Sequence, residues 1–363
     1  MKDCAATGQR VPDVRRILVM RPNALGDYMF ALPALHALRY AYPKARIVLL
    51  GLPWHVAFLD GRPGPVDEVR IMPAFPGIGS ASMTGEDGGP GSAGREEIDR
   101  LRSERFDIAL QMYGGGRYSN EFIRQLRARV SAGLATVESA ALDRQIPYRA
   151  VANRRLQLLQ VVELVGACAP TPHPELTATE RDRDEAARML PWQRGERIVV
   201  IHPGASDARR RWPAPRFAAV ADRLADQGAT VVISAGEADQ EVAGEVVRHM
   251  RHPPAVAGRT FGLHALCGFL ERACMVVAND TGPLHLAFAL GTPGVGIFWL
   301  TNLVDGAPLR PQMLSAALSL TLQCPVCGAE NVRTRCKHDV SFVDDVPTDE
   351  VIELALELYR EVN

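Results

Sequence analysis

Long apolar runs are missing from this chain. No stretch reaches the ~18 apolar residues that a membrane span needs, and residues 1–14 carry charge without an apolar core of signal-peptide length. The expectation is a cytoplasmic protein without a transmembrane segment, peripheral contact with a membrane surface being left open. A net charge is missing too, since 41 Lys+Arg stand against 42 Asp+Glu. With no global field, a nucleic-acid partner is not expected, and any bound anion must be held by a local cluster. Lysine is almost absent: only Lys2, Lys44 and Lys337 occur, so 38 of the 41 basic residues are arginines, as a GC-rich coding bias would give. Two nucleotide signatures are also absent. No Gly-x-Gly-x-x-Gly follows the first strand and no Gly-x-x-x-x-Gly-Lys-Ser/Thr occurs, which sets aside a nicotinamide-type site and an NTPase phosphate loop.

What is present suffices for two cores. The 363 residues exceed the roughly 100 to 200 of one ordinary domain. The first 150 alternate strand and helix, with strands predicted at 17–20, 47–50, 69–72 and 107–111 and a helix over about 28–41. Leu32, Leu35 and Leu38 share one helix face, and Pro43 stops the helix. Residues 76–94, crowded with Gly, Ser and Pro, predict a surface loop. The second half restarts the pattern, with strands at 198–201, 230–233, 275–278 and 294–298. Pro213 and Pro215 open a helix whose Phe217, Val220, Ala221 and Leu224 form one apolar face, and Gly228 follows its end. The stretch 170–196, rich in Pro and charge, reads as a linker, and 348–359 as a last helix. Continuous Val/Ile strands joined by helices imply parallel sheets covered on both faces. The fold class is therefore α/β: two Rossmann-like, doubly wound parallel-sheet domains, 1–172 and 173–345, facing a central cleft, with a C-terminal helix in 346–363. Ligands of such sheets lie beyond the carboxyl ends of the strands.

Three post-strand loops of the second half suit an anion. Asn279-Asp280-Thr281-Gly282-Pro283-Leu284-His285 carries a strand into a helix. Free N–H groups at Thr281, Gly282 and Leu284, together with the helix dipole, attract phosphate oxygens. The competing reading makes Asp280 an N-cap and His285 a core residue. His202-Pro203-Gly204-Ala205-Ser206 leads to Arg209-Arg210-Arg211-Trp212, where planar guanidinium forks can grip a diphosphate; a solvated charge run is the alternative. Glu237, after the next strand, can accept from ribose hydroxyls. In the first half, Arg21-Pro22-Asn23-Ala24-Leu25-Gly26-Asp27 places a carboxylate after the first strand. Glycosyl transfer needs a base for the acceptor proton and charge stabilisation for the leaving diphosphate. Asp27 suits the first role and the second-half loops the second; an N-cap role is the alternative for Asp27.

Taken together, Arg21-x-x-Ala24-Leu25-Gly26-Asp27, Leu32-Pro33-Ala34-Leu35-x-Ala37-Leu38 and Asn279-Asp280-Thr281-Gly282-Pro283-x-His285-x-Ala287 resemble the motifs of glycosyltransferase family 9, the lipopolysaccharide heptosyltransferases and their relatives. The resemblance implies a GT-B fold and an inverting displacement without a catalytic metal, Asp27 being the base and Asn23 and Gly26 lying on the acceptor side. It also implies an ADP-sugar donor, most commonly ADP-L-glycero-β-D-manno-heptose. Ser206, Arg210 and the Thr281-Gly282 backbone would hold its diphosphate and Glu237 its ribose, with Asp280 and His285 in the same donor site. Arg210 departs from the lysine usual in the family two residues before Trp-Pro. The acceptor-facing segments, including 76–94 and Tyr113-Gly114-Gly115-Gly116-Arg117, match no familiar pattern. The acceptor is accordingly a glycan, of lipopolysaccharide core or another envelope polymer, or a small molecule. A nucleotide-sugar epimerase and a non-catalytic nucleotide-binding module are the alternatives.

Seven cysteines complete the inventory. Cys4, Cys168, Cys267 and Cys274 are scattered, as reduced cytosolic thiols are. Cys324-Pro325-Val326-Cys327-Gly328 followed by Cys336-Lys337-His338 has the form of a zinc knuckle with a second ligand pair, suited to a closed structural zinc site; reduced free thiols are the rival reading.

Overall fold

The computed structural model describes residues 8–78, 92–168, 176–191, 193–331 and 335–362. The chain divides into two compact units, Met1–Pro174 and Glu175–Asn363. The first contains β1 (Arg16–Met20), α1 (Leu25–Ala41), β2 (Arg46–Gly51), α2 (Pro53–Leu59), β3 (Glu68–Ile71), α3 (Ser92–Ser103), β4 (Ile108–Gln111), α4 (Ser119–Gln125), β5 (Val130–Ala135), β6 (Arg144–Pro147) and α5 (Arg154–Glu163). Its six strands are all parallel, in the order β3-β2-β1-β4-β5-β6. This is the order of dinucleotide-binding domains, with its switch point between β1 and β4. The apolar residues of β1, β2 and β4 are almost wholly buried, as a sheet covered on both faces requires.

The second unit contains α6 (Glu180–Met189), β7 (Ile198–His202), α7 (Ala214–Ala225), β8 (Thr230–Ile233), α8 (Gln240–His249), α9 (Leu263–Arg272), β9 (Met275–Asn279), α10 (Gly282–Leu290), β10 (Gly294–Trp299), α11 (Leu300–Gly306), β11 (Leu314–Ser319) and α12 (Thr348–Glu361). Its five parallel strands run β11-β10-β9-β7-β8, so this sheet switches between β7 and β9. On one face, Phe217, Val220 and Leu224 of α7 and Val351 and Ala355 of α12 join Val277 and Ile297 in a single core. Each of these side chains except the small Ala355 contributes ~1.5–3 kcal/mol by leaving water.

Several expectations from sequence need correction. Strands β5, β6 and β11 were not foreseen, and α1 begins at Leu25 rather than near Tyr28. The supposed linker 170–196 contains α6. Thr179 caps this helix reciprocally: its Oγ1 accepts from Asp182 N at 3.3 Å, and Asp182 Oδ2 accepts from Thr179 N at 2.7 Å. Most of the predicted loop 76–94 lies outside the described residues. Of its ends, Ile78 is buried with Phe75, and residues 92–94 belong to α3. Cys168, read as a reduced thiol, is disulfide-bonded, whereas Cys267 and Cys274 are not in a disulfide.

Candidate active site

In the second unit, the loops after β7 and β9 meet beyond the sheet's switch point. Asn279, the last residue of β9, ties them together: its Oδ1 accepts from Trp212 N at 3.0 Å and its Nδ2 donates to Pro203 O at 2.7 Å. Arg210 thereby comes to rest beside the start of α10. Its Nη1 donates to Asp280 O at 3.1 Å and faces Asp280 Oδ2 at 3.3 Å, while Nη2 donates to Ser206 Oγ at 2.9 Å. A guanidinium has five N–H donors, so Nε–H and one Nη2 hydrogen remain for a ligand.

Asp280 is not an N-cap. The cap of α10 is Thr281, in extended conformation and without a side-chain cap hydrogen bond. Thr281 and Gly282 are half-buried rather than packed into the core, and first-turn amides have no intrahelical acceptor. The Asp280 carboxylate instead gathers three partners: Arg210, His285 Nε2 at 3.0 Å and Asn302 Nδ2 at 2.9 Å. Burial pushes its pKa up, but the hydrogen bond and charge of His285, the charge of Arg210 and the Asn302 amide outweigh burial and hold it below the usual value. His285 is itself buried, so it fixes Asp280 rather than presenting itself at the surface. Asn302 escaped the sequence reading; it stands 22 residues beyond Asp280 and meets it only once β9 and β10 pair.

Around this pair, Arg209 turns away to chelate Asp207, with Nη2 donating at 2.7 Å. Arg211 Nε donates to Ala205 O at 2.8 Å. Of the three arginines, then, Arg210 is the one bound to Ser206 and Asp280. Buried His202 bonds Ser234 Oγ through Nδ1 at 3.1 Å, and burial lowers its pKa to about 4 against the pull of Asp239. Glu237 lies just past β8, exposed and with no polar side-chain partner among the described residues.

In the first unit, Asp27 lies in the first turn of α1, whose N-cap is Ala24; the cap reading of Asp27 is excluded. Its Oδ1 accepts from Arg21 Nη2 at 2.8 Å. Arg21 is buried and also donates from Nη1 to Met112 O, thus joining the loops after β1 and β4 at this sheet's switch point. Burial lowers the Arg21 pKa and the Asp27 charge opposes the drop. Arg21 was quoted in the motif but given no role; an arginine six residues before the aspartate and directly after a buried strand was the available signal. The Asn23 carbonyl accepts from Trp54 Nε1 at 3.2 Å, and the buried Asn23 Oδ1 has no hydrogen-bond partner among the described residues. Gly26 occupies the helix turn beside Asp27.

The ligand atoms of Cys324, Cys327, Cys336 and His338 all fall within 4.8 Å of one another. The structure thus assembles the four residues that the sequence pattern selected. No helix among the described residues is long and apolar enough to cross a membrane.

The profile of glycosyltransferase family 9 (heptosyltransferase) matches residues 96–337. The lipopolysaccharide core heptosyltransferase OpsX of Haemophilus influenzae is 22% identical, over 81% of this chain and 82% of its own. The glycosyl transferase family 9 structure from Veillonella parvula superposes with a TM-score of 0.75 at 20% identity, covering 96% of this chain and 97% of that one. The E. coli ADP-heptose lipopolysaccharide heptosyltransferase II gives 0.71 at 19% identity, covering 95% and 99%. These two likenesses show the fold, GT-B, built of two Rossmann-like domains.

Proposed function

Because the chain belongs to glycosyltransferase family 9, we propose that it moves a heptose, or a related sugar, from an ADP-sugar to a hydroxyl of an envelope glycan or small-molecule acceptor, in the cytoplasm and with inversion. The observation that carries this reading is Arg210, fixed by Asp280 and Ser206 next to the uncapped amino end of α10. A diphosphate at that spot meets a guanidinium and free helix amides together. Ser206, Arg210 and the Thr281 and Gly282 amides hold the diphosphate, Asp280 and His285 keep the arginine in place, and exposed Glu237 takes the ribose hydroxyls.

In the reaction, the acceptor oxygen attacks the anomeric carbon from the face opposite the diphosphate. The new C–O bond forms as the bond to the phosphate oxygen breaks, and the departing ADP carries away the electron pair. The acceptor proton passes to Asp27, whose Oδ2 has no partner among the described residues while Oδ1 is held by Arg21. Arg210 and the α10 amides neutralise the leaving group's charge, so no catalytic metal is required. Asn23 and Gly26 flank the base on the acceptor side. The relatives reported above are transferases, which favours transfer over the epimerase and the non-catalytic module.

Thermal-shift measurements against ADP, UDP, GDP and their sugars test the donor. A ligand selective for the native state stabilises it by ~2.7 kcal/mol at a hundred times its Kd, and ADP and ADP-sugars should give the largest shift. A larger shift with UDP would remove the ADP-heptose assignment.

A further inference from the structure

The cluster Cys324, Cys327, Cys336 and His338 has no part in the transfer just described, yet its geometry is specific. Tetrahedral zinc, with Zn–S near 2.3 Å and Zn–N near 2.0 Å, needs a sulfur and a nitrogen ligand about 3.5 Å apart and two sulfurs about 3.8 Å apart. Cys324 Sγ lies 3.7 Å from His338 Nδ1. None of the three cysteines is in a disulfide. The backbone around the first pair is folded as a metal knuckle, with Gly328 N donating to Cys324 O at 2.8 Å and Cys324 N donating to Ala329 O at 2.9 Å. Gly328 makes the turn at φ +69°, a region that costs other residues strain. Asn331 supports Cys336 twice: its Nδ2 points to Cys336 Sγ at 3.6 Å and its Oδ1 accepts from Cys336 N at 3.0 Å. Such outer contacts orient metal ligands. A metal held by all four would have no open position, as in structural sites.

The chain that follows His338 is bonded to the arginine loop. Ser341 Oγ donates to Arg211 O at 2.7 Å and Phe342 N to Arg209 O at 2.7 Å, bracketing Arg210. Phe342 stands edge-on to Trp299 with centroids 4.8 Å apart, and the Arg209 guanidinium lies over both rings. Further along, Trp212 Nε1 donates to Val346 O at 3.0 Å.

We propose that Cys324, Cys327, Cys336 and His338 bind a zinc ion that anchors the segment bracketing Arg210 and so keeps the donor-binding loop in position. Binding displaces three thiol protons to solvent and leaves three thiolates and a neutral imidazole around the divalent ion. The second clause rests on the transferase reading; the first does not.

Elemental mass spectrometry of the full chain, purified without added metal or chelator, decides the first clause. The expected result is about one zinc per chain, released on titration with a mercurial thiol reagent. Iron in place of zinc overturns the assignment, as does a metal-poor protein whose cluster thiols react freely with Ellman's reagent in the native state. For the second clause, Cys327→Ser removes an exposed ligand. Zinc content should fall, and the Kd for ADP should rise roughly tenfold, as it does when the binding-competent arrangement of the loop drops to about a tenth of the population. Loss of zinc with unchanged ADP affinity breaks the link to the arginine loop. Should that variant not fold, Cys327→His, which keeps a ligand nitrogen, should retain both zinc and ADP affinity, and loss of ADP affinity with zinc retained counts against the link. Arg210→Ala separates the readings, since it should lose ADP affinity while keeping its zinc.

Discussion

A carboxylate with one oxygen held by a buried arginine and the other open is placed to accept a proton along one direction. Asp27 is such a group, and Asp27→Asn separates geometry from basicity, because the amide oxygen can still accept from Arg21 but cannot take the acceptor proton. Steady-state kinetics should show kcat lower by about 10²- to 10⁴-fold, with ADP affinity by calorimetry unchanged. Near-normal turnover would remove the base assignment. For Arg210→Ala, the loss of charge-assisted hydrogen bonds worth ~1.5–3 kcal/mol each predicts ADP binding weaker by tenfold or more. Arg210→Lys should fall between, since one ammonium cannot reach Asp280, Ser206 and a phosphate in one plane. Equal ADP affinity in wild type and Arg210→Ala would move the diphosphate elsewhere. At this scale the motifs selected residues that the structure brings together within each unit, but not the contacts by which it does so. Asp27, Arg210 and Asp280 could be picked from their motifs, because each follows a recognisable strand. That His285 and Asn302 serve by holding Asp280 depends on contacts that no spacing rule contains.

Among the elements, the strands legible beforehand were, apart from the half-buried β3 (EVRI), the continuous apolar ones, whose burial on both faces leaves a distinctive pattern. The missed ones lacked that pattern for identifiable reasons. Strand β5 (VSAGLA) is built of small residues, β6 (RQIP) is a half-exposed edge ending in proline, and β11 (LSAALS) is an edge with alternating burial. Helix α6 (ERDRDEAARM) was hidden because seven of its ten residues are charged, so that docking rather than apolar periodicity defines it. It docks on α9: His264 Nδ1 meets Asp182 Oδ1 at 2.6 Å, and a Cβ on Gly268 would overlap the Asp182 carbonyl and come within 2.9 Å of Ala186 Cβ. Because backbone is in the way, a side chain cannot simply rotate aside. Gly268→Ala is therefore expected to destabilise the second unit by ~1–3 kcal/mol and lower its melting temperature by roughly 2–4 °C per kcal/mol. Differential scanning calorimetry of the two proteins checks this, and an unchanged melting temperature would mean that α6 is not packed so closely.

For the whole molecule, each unit has among its described residues a buried histidine whose pKa burial lowers, His55 in the first and His202 in the second. His55 in the first unit has its pKa lowered to about 4, mainly by burial, and its Nδ1 accepts from Leu52 N at 2.9 Å, a bond that only the unprotonated nitrogen can make. It lies fully buried under the stacked ring of Trp54, 3.6 Å away between centroids, and its Nε2 has no hydrogen-bond partner among the described residues. His202 in the second unit is likewise lowered to about 4, again mainly by burial. Between pH 6.5 and 4, then, the unfolded chain binds a proton at each imidazole that the native chain does not. Stability must rise with pH across that window and be lost as the pH falls through it. A depression of this size corresponds to about 3 kcal/mol per histidine, so the pair together is comparable with the ~5–15 kcal/mol net stability of an ordinary domain. The carboxylates act later: Asp207, drawn down to about 2 chiefly by its hydrogen bond from Arg209, gives up its contribution only as the pH drops from about 4 toward 2. The melting temperature should consequently be level above pH 7, fall from about pH 6.5 to 4, and fall further below that. His55→Gln, which keeps an acceptor for Leu52 N but does not titrate, should lose part of the first decline and leave the second in place. A wild-type melting temperature that is the same at pH 7 and pH 4.5 would show that neither imidazole is held neutral.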